Sequence, residues 1–161
     1  MRRIIVNSIP IISLAGIDRL ILLKKLYKEI IVPEAVYEEV SIEGESKIGA
    51  KRLKEADFIK IHSVDNKEAE KIFSTSLHKG EVEVLLLARE LKADLVIIDD
   101  LLARKHAKYL DIKVTGTIGI LLKAKQKGYL KKIKPLLDEL INNNIYISDK
   151  LYKNVLDLAN E

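Results

Sequence analysis

The sequence predicts an α/β domain, with a mainly parallel central sheet of four to five strands in a three-layer α/β/α arrangement. Two observations carry this. Short β-branched apolar runs recur at residues 2–6, 29–32, 57–61, 95–98 and 112–115, each separated from the next by a segment of helical periodicity. Most of these runs are apolar throughout rather than alternating, as expected for strands covered by helices on both faces.

Taken in order, residues 2–6 form a buried first strand that stops at Asn7-Ser8-Ile9-Pro10, where polar groups and a proline open a helix or turn. Asp18 reads as the N-cap of a helix through Leu22, Leu23 and Leu26. The strand at 29–32 meets Pro33 where the next helix begins, and Ala35, Val36, Glu39 and Val40 continue it. A connection at 41–46, with Gly44, leads to a polar helix at 47–56 and an edge strand at 57–61. Residues 66–74 read as a helix, followed by another at about 81–91 and the strand at 95–98. Residues 101–110 are helical, and the fifth strand runs into Thr115-Gly116-Thr117 and a helix closed by Gly128. Helices at 135–140 and from Ser148 or Asp149 onward complete the chain. The whole, 1–161, reads as one domain whose part from about 129 is a helical extension.

Composition narrows the chemistry. Without cysteine there is no thiolate zinc site, disulfide framework or iron–sulfur cluster, and a cytoplasmic address fits best. No apolar run approaches the ~18–20 residues of a membrane span. The net charge of +4 is unevenly spread: no acidic residue lies between Asp111 and Asp138, while Lys113, Lys123, Lys125, Lys127, Lys131, Lys132 and Lys134 do. Such a stretch is either a solvated helix face or a surface for phosphate.

Candidate site residues gather at strand ends. In a helix starting at Gly80, Glu81 shares a face with Val84, Leu85 and Ala88, so it is expected to aim into the fold, with Glu83 on a flanking, partly solvated face. The helix dipole alone also favours a carboxylate in a first turn. Asp99 and Asp100 stand at the carboxyl end of the fourth apolar run; one could cap the helix at Leu101, but capping uses only one. If strands one and four adjoin, Asn7, Asp99 and Asp100 meet in the crevice, with Thr115 or Thr117 close by. An oxygen-only cluster of this kind suits Mg²⁺ or Mn²⁺. His62, His78 and His106 lack metal-binding spacing and read as surface or packing residues.

Residues 5–12, 32–40, 80–83, 95–100 and 114–119, in this order, resemble a PIN domain, and the tail at 147–152 resembles a prokaryotic branch that includes VapC-type toxins. The resemblance implies a PIN-like fold and a Mg²⁺-dependent endoribonuclease. Such proteins often form homodimers and often act as the toxin of a pair with a small antitoxin, with RNA as substrate. By this likeness the acidic positions fall on Asn7, Glu39, Glu81 and Asp100, with Asp99 adjacent, as catalytic and metal-holding residues. Arg104 matches a basic position near phosphate. Thr115, Thr117, Lys123 and Lys127 complete an expected nucleic-acid surface. Two positions depart from the pattern: Asn7 brings an amide where relatives have a carboxylate, and Ile9 stands where they often have a small hydroxyl residue. The first departure keeps a second expectation open, a weakened PIN-like module that binds RNA or a protein without cutting.

Overall fold

The computed structural model describes residues 2–41, 47–67 and 77–161. Five parallel strands, β1 (Ile4–Val6), β2 (Ile30–Pro33), β3 (Ile59–His62), β4 (Leu95–Ile97) and β5 (Val114–Thr115), form one sheet in the order β3-β2-β1-β4-β5. Nine helices among the described residues flank it: α1 (Ser8–Gly16), α2 (Ile21–Tyr27), α3 (Glu34–Ser41), α4 (Lys47–Glu55), α5 (Lys79–Glu90), α6 (Leu101–Tyr109), α7 (Thr117–Gln126), α8 (Lys134–Asn142) and α9 (Asp149–Leu158). This is the three-layer α/β/α arrangement the apolar runs predict.

The central strands explain the continuous runs. Ile4, Ile5 and Val6 of β1 are fully buried, as are Val96 and Ile97 of β4. Each such side chain contributes about 1.5–3 kcal/mol relative to exposure. β3, at the sheet edge, is exposed from Lys60 to His62; a lysine on an edge strand discourages pairing with another chain. α7 ends at Gly128, whose φ of +82° suits glycine, and Tyr129 N–H closes back on Ala124 O. Ile133, Leu136, Leu137 and Val155, from the segment beyond residue 129, are buried in the same apolar core as the strands.

Two expectations shift. Asp18 does not cap α2. It stands in a left-handed turn (φ +55°) that ends α1, and its carboxylate pairs with Arg52 at 3.2 Å, while α2 starts after Leu20 with no side-chain cap. The largely apolar stretch from Ile11 to Ala15 extends the first helix, and aspartate tolerates the left-handed conformation that the reversal needs. Pro33 closes β2 rather than opening α3. The helix expected over 66–74 lies outside the described residues from 68 onward, as does the connection at 42–46. No helix among the described residues is long and apolar enough to cross a membrane.

The strand order fixes where a site can form. From β1 the chain builds outward through β2 and β3, then returns to the other side of β1 with β4 and β5. Loops after β1 and β4 therefore diverge to opposite faces and leave a crevice at the carboxyl ends of these two strands.

Candidate metal centre

Asn7 follows β1 into this crevice. Its N–H donates to Ile97 O at 3.0 Å, which locks the end of β1 against β4. Although Asn7 occupies the N-cap position of α1, its side chain makes no capping bond. The residue is 2 % exposed, and its Oδ1 is buried without a hydrogen-bond partner. A buried acceptor left unsatisfied is costly, and such an atom points to a missing donor or cation.

Two carboxylates share the cleft with it. Glu39 comes from the last turn of α3 and Glu81 from the first turn of α5; with Asn7, Ser8, His78 and Lys79 they line a space of about 440 Å³. Gly80 makes this approach possible. A Cβ at that position would collide with Glu39 Oε1, so only a glycine lets the Glu39 carboxylate lie against the start of α5. No described residue donates a hydrogen bond to Glu39. Glu81 Oε2 accepts the His78 N–H at 3.0 Å, which satisfies one of the open donors at the helix start.

The electrostatics follow from this crowding. Burial is the main cause that pushes the Glu81 carboxyl above its usual range. The His78 N–H opposes the shift, the negative charge of Asp100 adds to it, the His78 ring opposes it again, and the Glu39 charge adds to it. Acidic groups therefore crowd one another here, as they do where a cation is to be held.

Asp99 and Asp100 have separate tasks. Asp99 lies across Gly116 and accepts both the Thr117 N–H (2.7 Å) and the Thr117 hydroxyl (2.5 Å), which ties the end of β4 to the start of α7. Asp100 is the N-cap of α6: its Oδ2 accepts Ala103 N–H at 2.9 Å, and its charge reaches Glu81. Capping the helix at Leu101 thus uses only Asp100, as expected, and Asp99 is left to hold the start of α7 through Thr117.

The donor set fits a hard divalent cation: an orphaned amide oxygen from Asn7, carboxylates from Glu39 and Glu81, and Asp100 beside Glu81, with no nitrogen or sulfur ligand required. Among the described residues no three acidic or histidine side chains close into one coordination shell, so the carboxylates stand around the cleft rather than as a finished cage.

The remaining candidates divide between two ends of the sheet. Arg104, Thr115 and Thr117 lie on the same side as the carboxylates, lining a second groove that includes Asp99. Lys123 and Lys127 do not. Lys123 Nζ sits 4.9 Å from the centre of the Tyr27 ring, and Arg2 Cζ sits 5.5 Å from the same ring. Arg2 precedes β1 whereas Asn7 follows it, so this basic cluster occupies the opposite end of the sheet from the cleft. Burial first, then the charges of Arg2 and Lys127, lowers the Lys123 pKa.

The glutamate pair is corrected as well. Glu83, expected on a partly solvated flank, is 2 % exposed and accepts Ala35 N–H at 3.0 Å in the first turn of α3. Helical periodicity assigns one buried stripe, but α3 packs over the second side of α5 and buries it too. Glu81 is the half-buried one and reaches the cleft. Sequence reasoning also passed over Gly80 as more than a helix boundary, and over His78, set aside for lacking metal spacing although it lines the cleft. Gly80's adjacency to Glu81 and His78's place three residues before it were the available signal.

A search of the curated proteins finds no match. The family description "PIN domain" matches residues 3–161, almost the entire chain, and its nuclease-type fold agrees with the five-stranded parallel sheet and the site at its carboxyl edge. The chain belongs to the PIN domain family.

Proposed function

We propose that the chain is a Mg²⁺- or Mn²⁺-dependent endoribonuclease of the PIN type. The observation that carries this reading is the buried, partnerless Asn7 Oδ1 beside Glu39 and Glu81, three acceptors facing one cleft with the charge of Asp100 behind them. Glu39, Glu81 and Asp100 would hold the ion, with Asn7 as a neutral oxygen donor. The ion would supply Lewis-acid stabilisation of charge developing on a phosphoryl oxygen. Oε1 of Glu81, outside the bond to His78, would be placed to take the proton of the attacking water. Asp99, bonded to Thr117 at the start of α7, and Asp100, the N-cap of α6, tie the end of β4 to these two helices. Water would attack phosphorus as the bond to the leaving ribose oxygen breaks.

The PIN family and the likeness of the tail to VapC-type proteins favour a cytoplasmic toxin that pairs with a small antitoxin and acts as a homodimer. A short reading frame directly beside the gene, whose product binds and inhibits this chain, is the expected finding. A second reading rests on Asn7 alone. An amide brings no charge, which weakens metal affinity, and the chain would then bind RNA or a protein without cutting.

Cleavage assays separate the two. Purified protein is incubated with single-stranded and structured RNA in Mg²⁺, Mn²⁺ or EDTA, beside Asp100→Asn, Glu81→Gln and Asn7→Asp variants. Cleavage is expected to need the ion and to fall about 100-fold or more in Glu81→Gln and Asp100→Asn. Asparagine caps helices as well as aspartate, so Asp100→Asn removes charge without removing the cap. Cleavage that survives EDTA or Asp100→Asn overturns the assignment. An inert wild type with activity gained in Asn7→Asp establishes the second reading.

A further inference from the structure

Beside the acidic cleft runs a second groove of about 460 Å³, and the two share one residue, Ile9. Its walls are largely apolar: Ile9 is 45 % exposed, Leu101 80 %, Tyr146 88 % and Leu151 42 %. Isolated apolar side chains on a surface need no explanation, but four of them around one groove do. Within the same groove sits Arg104, half-buried and without a hydrogen bond or ion pair from its side chain to any described residue. Asp99, beside it across Gly116, makes no ion pair with it, and each Asp99 oxygen already accepts a hydrogen bond from Thr117. A half-buried guanidinium whose N–H donors are unmatched, its charge offset only in part by Asp99 nearby, favours an anionic oxygen ligand. The ligand that fits must therefore carry a flat apolar face for Tyr146 and an anion for Arg104, and must continue into a cleft built for a phosphodiester.

We infer that this groove is a nucleotide subsite, in which one unpaired base stacks on Tyr146 between Leu101 and Leu151 while Arg104 holds the phosphate leading into the acidic cleft. This rests on the nuclease reading of that cleft. Ile9, which lines both spaces, forms the wall between the base and the scissile bond. A paired base keeps its faces stacked inside the duplex and cannot enter; a base in a single strand or loop can. The subsite therefore selects which phosphodiester is presented, whereas the carboxylates act on whatever is presented.

Binding measured in EDTA tests this without any cleavage. The probes are a fluorescein-labelled oligouridylate, the same strand with one abasic position at each site in turn, and a duplex of equal length, followed by anisotropy. Tyr146→Ala is expected to weaken the intact strand about ten-fold, and one abasic strand is expected to bind the wild type as weakly as the intact strand binds Tyr146→Ala. Arg104→Gln should weaken intact and abasic strands alike and reduce the slope of log affinity against log salt by about one. Tyr146 is almost fully exposed, so its removal should leave the melting temperature unchanged, which a thermal melt of the variant checks. Equal affinity of wild type and Tyr146→Ala for the intact strand overturns the inference. So does a wild-type dimer that Tyr146→Ala dissociates while RNA affinity is unchanged, because the groove would then be covered by a second copy. Since no arm requires catalysis, a chain that discriminates bases but never cuts supports the subsite while overturning the nuclease reading.

Discussion

At Glu81 one carboxylate oxygen holds the His78 N–H, while burial and the charges of Asp100 and Glu39 press the group toward its neutral form. Its folded pKa lies above the unfolded value, so its contribution to stability is fully present below the unfolded pKa and is lost as pH rises through the folded one. Thermal melts of the metal-free protein should therefore show Glu81→Gln gaining on wild type as pH rises through that window, with the gap closing when Mn²⁺ is added. Gly80 offers a second residue-scale test. Alanine there would push the Glu39 carboxylate out of the cleft, because the new methyl group meets the tip of a flexible side chain rather than backbone. Gly80→Ala should cost at least ten-fold in metal affinity, read by calorimetry, with a melting temperature close to wild type. The sequence identified Glu81 as a cleft residue by a face argument that was only half right. The same argument placed Glu83 near water, because a one-dimensional period cannot register that α3 covers the other side of α5.

The elements that meet at the site are held there by their own end groups. Asp99 joins β4 to α7 through Thr117, and Asp100 starts α6 through Ala103. Thr117→Val removes the hydroxyl bond to a carboxylate while keeping shape, and should cost about 1.5–3 kcal/mol in urea denaturation. If Asp99 were mainly a metal ligand instead, that substitution would change metal affinity and leave stability nearly untouched. Most elements were legible from apolar runs bounded by glycine, proline and capping residues. Ser148, for one, caps α9 by accepting Leu151 N–H at 3.1 Å. Asp18 was misread because a capping residue and a left-handed turn residue draw on the same side-chain chemistry, and only the packed length of α1 decides between them. Asp99 and Asp100 could not be separated in sequence, since their tasks depend on Gly116 bringing α7 against one of them.

Over the whole molecule, strand order does what no local motif can. By placing β4 beside β1 it brings Asn7 within reach of residues more than seventy positions away, and it sends the basic cluster of Arg2, Lys123 and Lys127 to the other end of the sheet. The lysine-rich interval was plain in the sequence. Its position was not, because α7 starts at the carboxyl edge of the sheet and carries its lysines away from it. What remains at the carboxyl edge is an acidic cleft with one neutral oxygen, joined at Ile9 to an apolar groove with one unpaired arginine. The most direct measurement of the central claim is Mn²⁺ binding, followed by electron paramagnetic resonance and calorimetry on wild type, Glu81→Gln, Asp100→Asn and Asn7→Asp. One saturable class of site that weakens at least ten-fold in the first two variants and tightens in Asn7→Asp is the expected result. Mn²⁺ bound equally by all four proteins would contradict it.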